Sequence, residues 1–268
     1  MFDITIVSQF ILLGIFVGFI SGLFGIGGGG IIVPILTVIL LSLDFNEEIV
    51  VHTALGTSMA IMAITSFSSL IAQHKKQAVL WNMFKMILPS VIIGTFLSSF
   101  LATYLSSFTL AIIFSFFMFV SSIHMFFGKQ PESKDRIFPF KIQFLAGSFI
   151  GAISALISVA GGMFIVPFLV AQGVNIKKAI GTSSAIGSPL ALSGAIGYMI
   201  NGWSFGDYES SYTLGYLYLP AILLVSIGSV FAAPFGVKVS HKLSITLLKR
   251  MFSLIPFFLS IKLIYDLF

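Results

Sequence analysis

Long apolar stretches separated by short polar segments fill this chain from end to end. A membrane-spanning helix needs roughly 20 apolar residues, and every stretch reaches that length. The stretches are apolar on all sides, whereas strands of a membrane β-barrel alternate polar and apolar residues. The pattern therefore predicts an all-α polytopic membrane protein. The eight runs are about 6–41, 50–72, 83–103, 107–127, 142–171, 179–200, 214–235 and 245–265.

The longest runs are too long for one simple crossing. As a single helix, residues 6–41 would extend about 54 Å, and the hydrocarbon core of a bilayer is about 30 Å thick. Two runs contain glycines followed by a proline, and glycine weakens a helix. We expect each of these runs to be two helical arms joined at its glycines. The two segments are Gly25-Ile-Gly-Gly-Gly-Gly30 with Val33-Pro34, and Gly161-Gly162 with Val166-Pro167.

The two halves of the chain repeat one another. A shift of 133 residues aligns landmarks of the first half with those of the second, and the match resumes beyond an eight-residue contraction. Several landmarks in the same order favour duplication over chance. The aligned pairs are Gly18 with Gly151, Gly28-Gly29 with Gly161-Gly162, Val33-Pro34 with Val166-Pro167, Gly56-Thr57-Ser58 with Gly181-Thr182-Ser183, and Leu88-Pro89 with Leu219-Pro220.

The polar stretch 128–141 separates the halves. We interpret it as a cytoplasmic linker between a first membrane repeat, residues 1–127, and a second, residues 142–268. Lys and Arg concentrate in loops that remain in the cytoplasm. The basic segments, expected inside, are 73–82, the linker, Lys177-Lys178 and 236–244. The segments without a basic residue, expected outside, are 42–49 and 201–213.

This charge pattern places the loop after the first glycine-rich run outside and its counterpart in the second half inside. The two halves would then be inverted in the membrane, which requires an odd number of crossings in each. Five helical segments per half, with both termini external, satisfy that condition. A model of eight spans, with parallel halves and both termini on one side, stays open on length alone.

Composition excludes several functional classes. Charged residues make up 9% of the chain and mean hydropathy is +1.09, whereas soluble domains carry about 25% charged residues. The net charge of +5 comes from loop residues, so topology explains it better than a nucleic-acid partner does. The chain has no cysteine, which removes disulfides, thiol catalysis and thiolate metal sites. Its four histidines lack metal-ligand spacing, and we expect neither a metal nor a cofactor.

The distribution of carboxylates favours an anion as the ligand. Membrane-buried Asp or Glu would mark a cation pathway, but all nine lie in loops or at the ends of apolar runs. A helix that restarts after the glycines, with Pro34 or Pro167 in its first turn, presents free N–H groups and the positive end of its dipole. The alternative interpretation is that these glycines only allow close helix packing.

Hydroxyl groups at matched positions early in their helices could complete such a site by donating to an oxyanion. Alternatively, they bond back to their own helices. His52 could tune substrate or proton binding, although an interfacial histidine is the plainer interpretation. The candidate substrate-binding residues are Gly27, Gly28, Gly29, Gly30, Pro34, Thr57, Ser58, Gly161, Gly162, Pro167, Thr182 and Ser183.

At these motifs the chain resembles the TauE/SafE family of membrane permeases, and the resemblance covers both halves. In one departure, the second copy reads Ser158-Val-Ala-Gly-Gly-Met where the first reads Gly25-Ile-Gly-Gly-Gly-Gly, which could make the two arms unequal. The matching segments are Gly22-Leu-Phe-Gly-Ile-Gly-Gly-Gly-Gly-Ile-Ile-Val-Pro34, Ala54-Leu-Gly-Thr-Ser58, Gly161-Gly-Met-Phe-Ile-Val-Pro167 and Ala179-Ile-Gly-Thr-Ser183.

The resemblance implies a multi-pass carrier of the bacterial or archaeal cytoplasmic membrane, associated with sulfite, sulfonates such as sulfoacetate, thiosulfate and related organic anions. We therefore expect a secondary transporter of small sulfur-containing anions that works by alternating access and is not an enzyme. A carrier of another small organic anion and an anion channel are the alternatives. The expected partners are the anion and the lipid bilayer, and self-association stays open.

Overall fold

A computed structural model describes residues 4–25, 27–127, 138–159, 162–203 and 212–244, together with Phe257, Phe258, Ile261 and Tyr265. Within these residues the protein is helical apart from one two-stranded hairpin. Six of the described helices are long and apolar enough to cross a membrane. This confirms the predicted polytopic α-helical membrane protein. The apolar pattern did not predict the small hairpin.

Both glycine-containing runs, 6–41 and 142–171, are pairs of helices, which confirms the predicted break in each. The first half comprises α1 (Ile4–Phe24), α2 (Gly29–Ser42), α3 (Val50–Lys75), α4 (Trp81–Thr103) and α5 (Ser107–Phe127). The second half comprises α6 (Phe140–Ile157), α7 (Gly162–Ala171), α8 (Ile176–Gly202), β1 (Thr213–Leu214), β2 (Leu217–Tyr218) and α9 (Leu219–Ser240).

Two parts of the sequence prediction fall largely outside the described residues. A fifth helix of the second half was expected over 245–265, where only Phe257, Phe258, Ile261 and Tyr265 are described. The linker prediction also concerns residues 128–137, which are not described. The division of the chain into two membrane repeats therefore stays a prediction.

Glycines bring helices of opposite halves into backbone contact. α1 packs in parallel against α9, and α6 packs in parallel against α4. In the sequence repeat, α1 corresponds to α6 and α9 corresponds to α4. The pair α1–α9 is therefore equivalent to the pair α6–α4. A Cβ on any of the glycines concerned would overlap backbone or side-chain atoms of the facing helix. The facing pairs are Gly14 with Val225, Gly18 with Ser229, Gly22 with Ala233, Gly147 with Ser90, and Gly151 with Val91.

α3 and α8 pack against each other at the centre of the bundle and are its most buried long helices. The short arm α2 packs on α3, and the corresponding arm α7 packs on α8. The fully buried Tyr198 of α8 donates its hydroxyl to the carbonyl oxygen of Ala155 on α6, at 3.0 Å. The duplicated Gly-Thr-Ser motifs thus lie on the two central helices.

The loops gather at two ends of the bundle. At one end, Nε2 of His241 lies 3.2 Å from Oε1 of Gln73, and Nζ of Lys177 lies 3.4 Å from the carbonyl oxygen of His241. At the other end, Glu48 and Tyr216 line one pocket. The described parts of the loops are grouped as the charge pattern groups them, and which end faces the cytoplasm stays a prediction.

Candidate functional site

The first break has the backbone that a glycine cluster permits. Gly25, Gly27 and Gly28 have φ angles of 70°, 76° and 83°, a left-handed region that residues with side chains rarely adopt. At Gly28 a Cβ would also overlap the side chain of Val17 on α1. A glycine is therefore required here both by the backbone conformation and by the space available.

α2 starts inside the glycine cluster. Gly28 precedes its first residue and accepts hydrogen bonds from the N–H groups of Ile31 and Ile32, at 3.0 and 3.1 Å. By helix geometry, the N–H groups of Gly29 and Gly30 have no acceptor within α2. They lie at the positive end of the helix dipole, which is the feature expected of an anion-binding segment.

The second break repeats the first with a serine in place of a glycine. α6 ends at Ile157, and Ser158 follows with φ 45° in the left-handed region. The shift of 133 residues places Ser158 on Gly25, so the two breaks turn at the same position of the repeat. α7 then begins at the buried Gly162, and Gly161 lies outside the described residues.

The two prolines lie one turn later than predicted. Pro34 and Pro167 are each the sixth residue of their helix and therefore belong to the second turn. The prediction was wrong because α2 and α7 begin within the glycine segments and not after them. A proline at this position cannot donate to the carbonyl group four residues earlier. The carbonyl groups of Gly30 and Met163 thus lose their usual intrahelical donor.

The two breaks meet inside the bundle. Gly29 lies so close to Ser158 that a Cβ at position 29 would overlap the carbonyl oxygen of that residue. The next residue, Gly30, faces the side chain of Met118 on α5, and a Cβ there would lie 3.8 Å from Val159. The fold thus brings the breaks of the two halves into direct contact.

Each break also bonds to the central helix of the other half. The hydroxyl of Ser183 on α8 lies 3.4 Å from the carbonyl oxygen of Gly25 in the first break. The hydroxyl of Ser158 in the second break lies 3.2 Å from the carbonyl oxygen of Leu55 on α3. Ser183 is thus the predicted hydroxyl that the structure brings to a break by a direct hydrogen bond.

The predicted threonines contact helix starts. Oγ1 of Thr57 accepts a hydrogen bond from the N–H of Tyr218, and Oγ1 of Thr182 accepts one from the N–H of Leu80, both at 2.9 Å. Tyr218 and Leu80 are the residues that precede α9 and α4. In contrast, the buried hydroxyl of Ser58, next to Thr57, has no hydrogen-bond partner.

Two further serines beside the breaks were missed in the sequence. Ser21 and Ser154 each lie four residues before the left-handed residue of their break. Both hydroxyls are buried and lack a hydrogen-bond partner. The shift of 133 residues also aligns these two serines, and that alignment is the signal that could have identified them.

A pocket of about 370 Å³ lies at the end of the bundle opposite His241. The buried His52 reaches it, and its Nε2 donates to the carbonyl oxygens of Ala102 and Leu105, at 3.2 and 2.9 Å. These contacts add a side-chain donor at the carboxyl end of α4, where the carbonyl oxygen of Ala102 also accepts the N–H of Leu105. Among the described residues, no group of three His, Asp or Glu side chains could hold a metal ion. The pocket is lined by Asn46, Glu48, Ile49, His52, Thr103, Leu105 and Tyr216.

A bundle of membrane-length helices, in which two broken arms present helix starts to one interior region, has the architecture of a membrane transporter. The family model described as Sulfite exporter TauE/SafE matches residues 10–263. The chain belongs to the TauE/SafE family of membrane transporters.

Relatives from several organisms are described as probable membrane transporter proteins. A probable membrane transporter protein of Haemophilus influenzae is 34% identical over 252 residues, covering 93% of this chain and 95% of that protein. One from Methanocaldococcus jannaschii is 27% identical over 248 residues, covering 91% and 90%. One from Bacillus subtilis is 25% identical over 258 residues, covering 94% and 96%. No solved structure gives a significant match.

Proposed function

We propose that this protein is a secondary carrier that moves small sulfur-containing anions, such as sulfite, thiosulfate or organosulfonates, across the cytoplasmic membrane by alternating access. The observation that carries the proposal is the contact between Gly29 of one break and Ser158 of the other. Backbone polar groups freed by helix breaks are tolerated at membrane depth only beside protein, water or a ligand. The family description, which names sulfite export, supports the substrate class.

The chemistry around the breaks suits an anion. Gly27–Gly30 and Gly162 provide backbone donors, and Ser58 provides an unpartnered hydroxyl on the central helix α3. Among the described residues, the carboxylates are confined to the turn between α2 and α3, at Asp44, Glu47 and Glu48. No described carboxylate therefore repels an anion within a helix. The protein performs no covalent chemistry on the anion in this proposal.

The directions of the helices support alternating access. α4 starts near the carboxyl end of α3, whereas α9 starts beside Thr57, near the amino end of α3. Since α1 runs parallel to α9 and α6 parallel to α4, α1 and α6 run in opposite directions. An inverted pair of halves is the arrangement with which many secondary transporters expose one central site to either side in turn.

The test is uptake of radiolabelled sulfite and thiosulfate into liposomes that contain the purified protein, with a variant that fills the site. Gly28 is a poor choice, because its φ of 83° strains any side chain. Gly30 is better, because a Cβ there meets only the flexible end of Met118 closely. We expect Gly30→Ala to lower uptake at least about ten-fold, the effect of displacing one strong ligand contact.

Two controls separate site filling from misfolding. In Gly194→Ala, a Cβ lies 3.1 Å from Sδ of Met59 and from Cγ2 of Thr95, so small side-chain shifts accommodate it, and uptake should persist. If Gly30→Ala/Met118→Ala recovers full uptake, the loss came from packing against α5. Absence of uptake by the wild-type protein contradicts the proposal. Uptake that never saturates and carries current favours an anion channel.

A further inference from the structure

Many described hydroxyls in the spans bond back to their own helix, as is common in membrane proteins. Thr37, Thr95 and Ser193 donate to the carbonyl oxygens three or four residues earlier, at 2.8 Å each. Ser21, Ser58 and Ser154 are at most 1% exposed, and their hydroxyls have no partner. Seven described serine hydroxyls are buried without a partner, and a buried polar group without a hydrogen bond is destabilising. Ser21, Ser58 and Ser154 are the ones among them that lie at the helix breaks or on α3 between them, and we ask what these three could bind.

Ser21 faces the first break. On α1, Val17 contacts Gly28, the residue that precedes α2. Ser21 lies four residues after Val17 and therefore on the same face of the helix, one turn closer to the break. Its backbone carbonyl accepts the N–H of Gly25 at 2.8 Å, so the serine belongs to the turn that ends α1.

Ser58 lies between the two breaks. On α3, the carbonyl oxygen of Leu55 accepts the hydroxyl of Ser158, and Sδ of Met62 would lie 2.6 Å from a Cβ at Gly29. Positions 55, 58 and 62 share one helix face. The hydroxyl of Ser58 is therefore directed to the region where Gly29 and Ser158 meet.

Ser154 has in the second half the position that Ser21 has in the first. Its carbonyl oxygen accepts the N–H of Val159 at 3.3 Å, across the end of α6. Its helical neighbour Ala155 receives the hydroxyl of Tyr198 from the central helix α8. Ser21 and Ser154 thus each lie one helical turn before the left-handed residue of their break, and Ser58 lies on α3 between the two breaks.

We infer that Ser21, Ser58 and Ser154 are the hydroxyl ligands of the transported anion, in addition to the amino ends of α2 and α7. This inference rests on the proposed function and assigns residues to its site. Each hydroxyl can donate one hydrogen bond, which suits a small oxyanion with several acceptor oxygens, as in sulfite or a sulfonate group. Thr57 and Thr182 then hold helix starts and take no part in binding the anion.

Alanine variants test the inference through two measurements, the thermal stability of the ligand-free protein and its affinity for the anion. Loss of a structural serine should lower the stability, whereas loss of a binding serine should lower the affinity. The thermal stability of the purified protein is measured in detergent, alone and with sulfite, thiosulfate or sulfoacetate. Removal of an unpartnered hydroxyl leaves the melting temperature of the ligand-free protein unchanged or raised. Binding of the anion to Ser21→Ala/Ser154→Ala, and separately to Ser58→Ala, should be weakened at least about ten-fold. The matched control Ser193→Ala should bind the anion as the wild type does.

Cysteine accessibility provides a second test that does not depend on affinity. The chain has no native cysteine, so Ser21→Cys, Ser58→Cys and Ser154→Cys each carry a single thiol. The probe is 2-sulfonatoethyl methanethiosulfonate, a small thiol reagent that itself carries a sulfonate. We expect labelling of all three variants in liposomes and slower labelling with saturating sulfite or thiosulfate. Ser193→Cys, whose parent serine bonds to Leu190, should show no protection by the anion.

The outcomes distinguish the inference from the function on which it rests. If the wild-type protein responds to none of the three anions, both are contradicted. If the wild type responds and the alanine variants bind undiminished, only the serine assignment is overturned. Lower melting temperatures of the ligand-free alanine variants with unchanged affinity, or thiols that never react, likewise overturn the assignment.

Discussion

The hydroxyl oxygen of Thr57 on α3 lies 2.9 Å from the backbone nitrogen of Tyr218, the residue that precedes α9. Its counterpart Thr182 on α8 has the same relationship, at the same distance, to Leu80 before α4. Each duplicated threonine thus accepts an N–H from a helix start that has no acceptor within its own helix. The two central helices fix the positions of α9 and α4.

Loss of this acceptor should destabilise the fold. Thr57→Val removes the oxygen, retains the shape and leaves the N–H of Tyr218 buried without a partner. We expect a loss of about 2 kcal/mol in the free energy of unfolding, measured as a lower melting temperature in detergent. Thr57→Ser should restore most of it. Thr37→Val is the control, because Thr37 only bonds back to Val33. An equal loss in both variants contradicts the assigned role.

Backbone contact between α1 and α9 makes Gly22 intolerant of any side chain. In Gly22→Ala, the Cβ overlaps the carbonyl oxygen of Ala233, and we expect a loss of about 3 kcal/mol from overpacking. Since the clash is with backbone, adding Ala233→Gly should give no rescue. Leu12→Ala, at a position of α1 that is 65% exposed, should be nearly neutral. Rescue by the double variant would contradict the backbone contact.

His52 stabilises the carboxyl end of α4. His52→Ala leaves the carbonyl groups of Ala102 and Leu105 without their side-chain donor, and we expect a lower melting temperature, equivalent to about 1–3 kcal/mol. The shift of 125 residues places Lys177 on His52, and Lys177 contacts the carbonyl oxygen of His241 after α9. His52→Lys should therefore retain more stability than His52→Ala. Equal losses in the two variants would contradict this role.

His241 makes stability dependent on pH. Its pKa is lowered by burial and then by the positive charges of Lys177 and Lys76. The unfolded chain takes up this proton more readily, so the contribution of His241 is complete above about pH 6.5 and falls as the pH drops below it. The melting temperature should fall less between pH 7 and pH 5 in His241→Asn than in the wild type. An equal fall in His241→Asn and in the wild type would contradict this role.

The orientation in the membrane can be tested with single cysteines, because the native chain has none. Glu47 and Lys76 are exposed and lie in turns at opposite ends of α3. From the charge pattern, a thiol reagent that cannot cross membranes should label Glu47→Cys in intact cells. It should label Lys76→Cys only after the cells are opened. The reverse pattern would invert the assignment of the two sides.

Local features of the sequence were sufficient to predict the helix breaks. Positive φ angles at Gly25, Gly27 and Gly28 follow from the permissiveness of glycine, and the length of the run required a break. The start of α2 was placed too late because Gly29 and Gly30 are poor helix formers that packing against Ser158 and Met118 nevertheless holds in a helix. Tertiary contacts overrode helix propensity there.

Long-range contacts explain what the sequence could not provide. Its matched position in the repeat identified Thr57 as a candidate. Because its hydrogen-bond partner lies 161 residues away along the chain, the sequence could not decide whether Thr57 binds the anion or supports the fold. The hairpin at 213–218 was missed because it is short and lies at the start of the apolar run 214–235, which was read as a helix. The unpartnered state of Ser21 and Ser154 depends on what surrounds them, which no local pattern encodes.

Close contacts at glycines join α1 to α9 and α6 to α4. Each of these contacts joins a helix before the segment 128–137 to a helix after it. Neither half of the chain can therefore move as one rigid body without separating both contacts. In the proposed transport cycle, each moving part would therefore have to combine helices from before and after the segment 128–137.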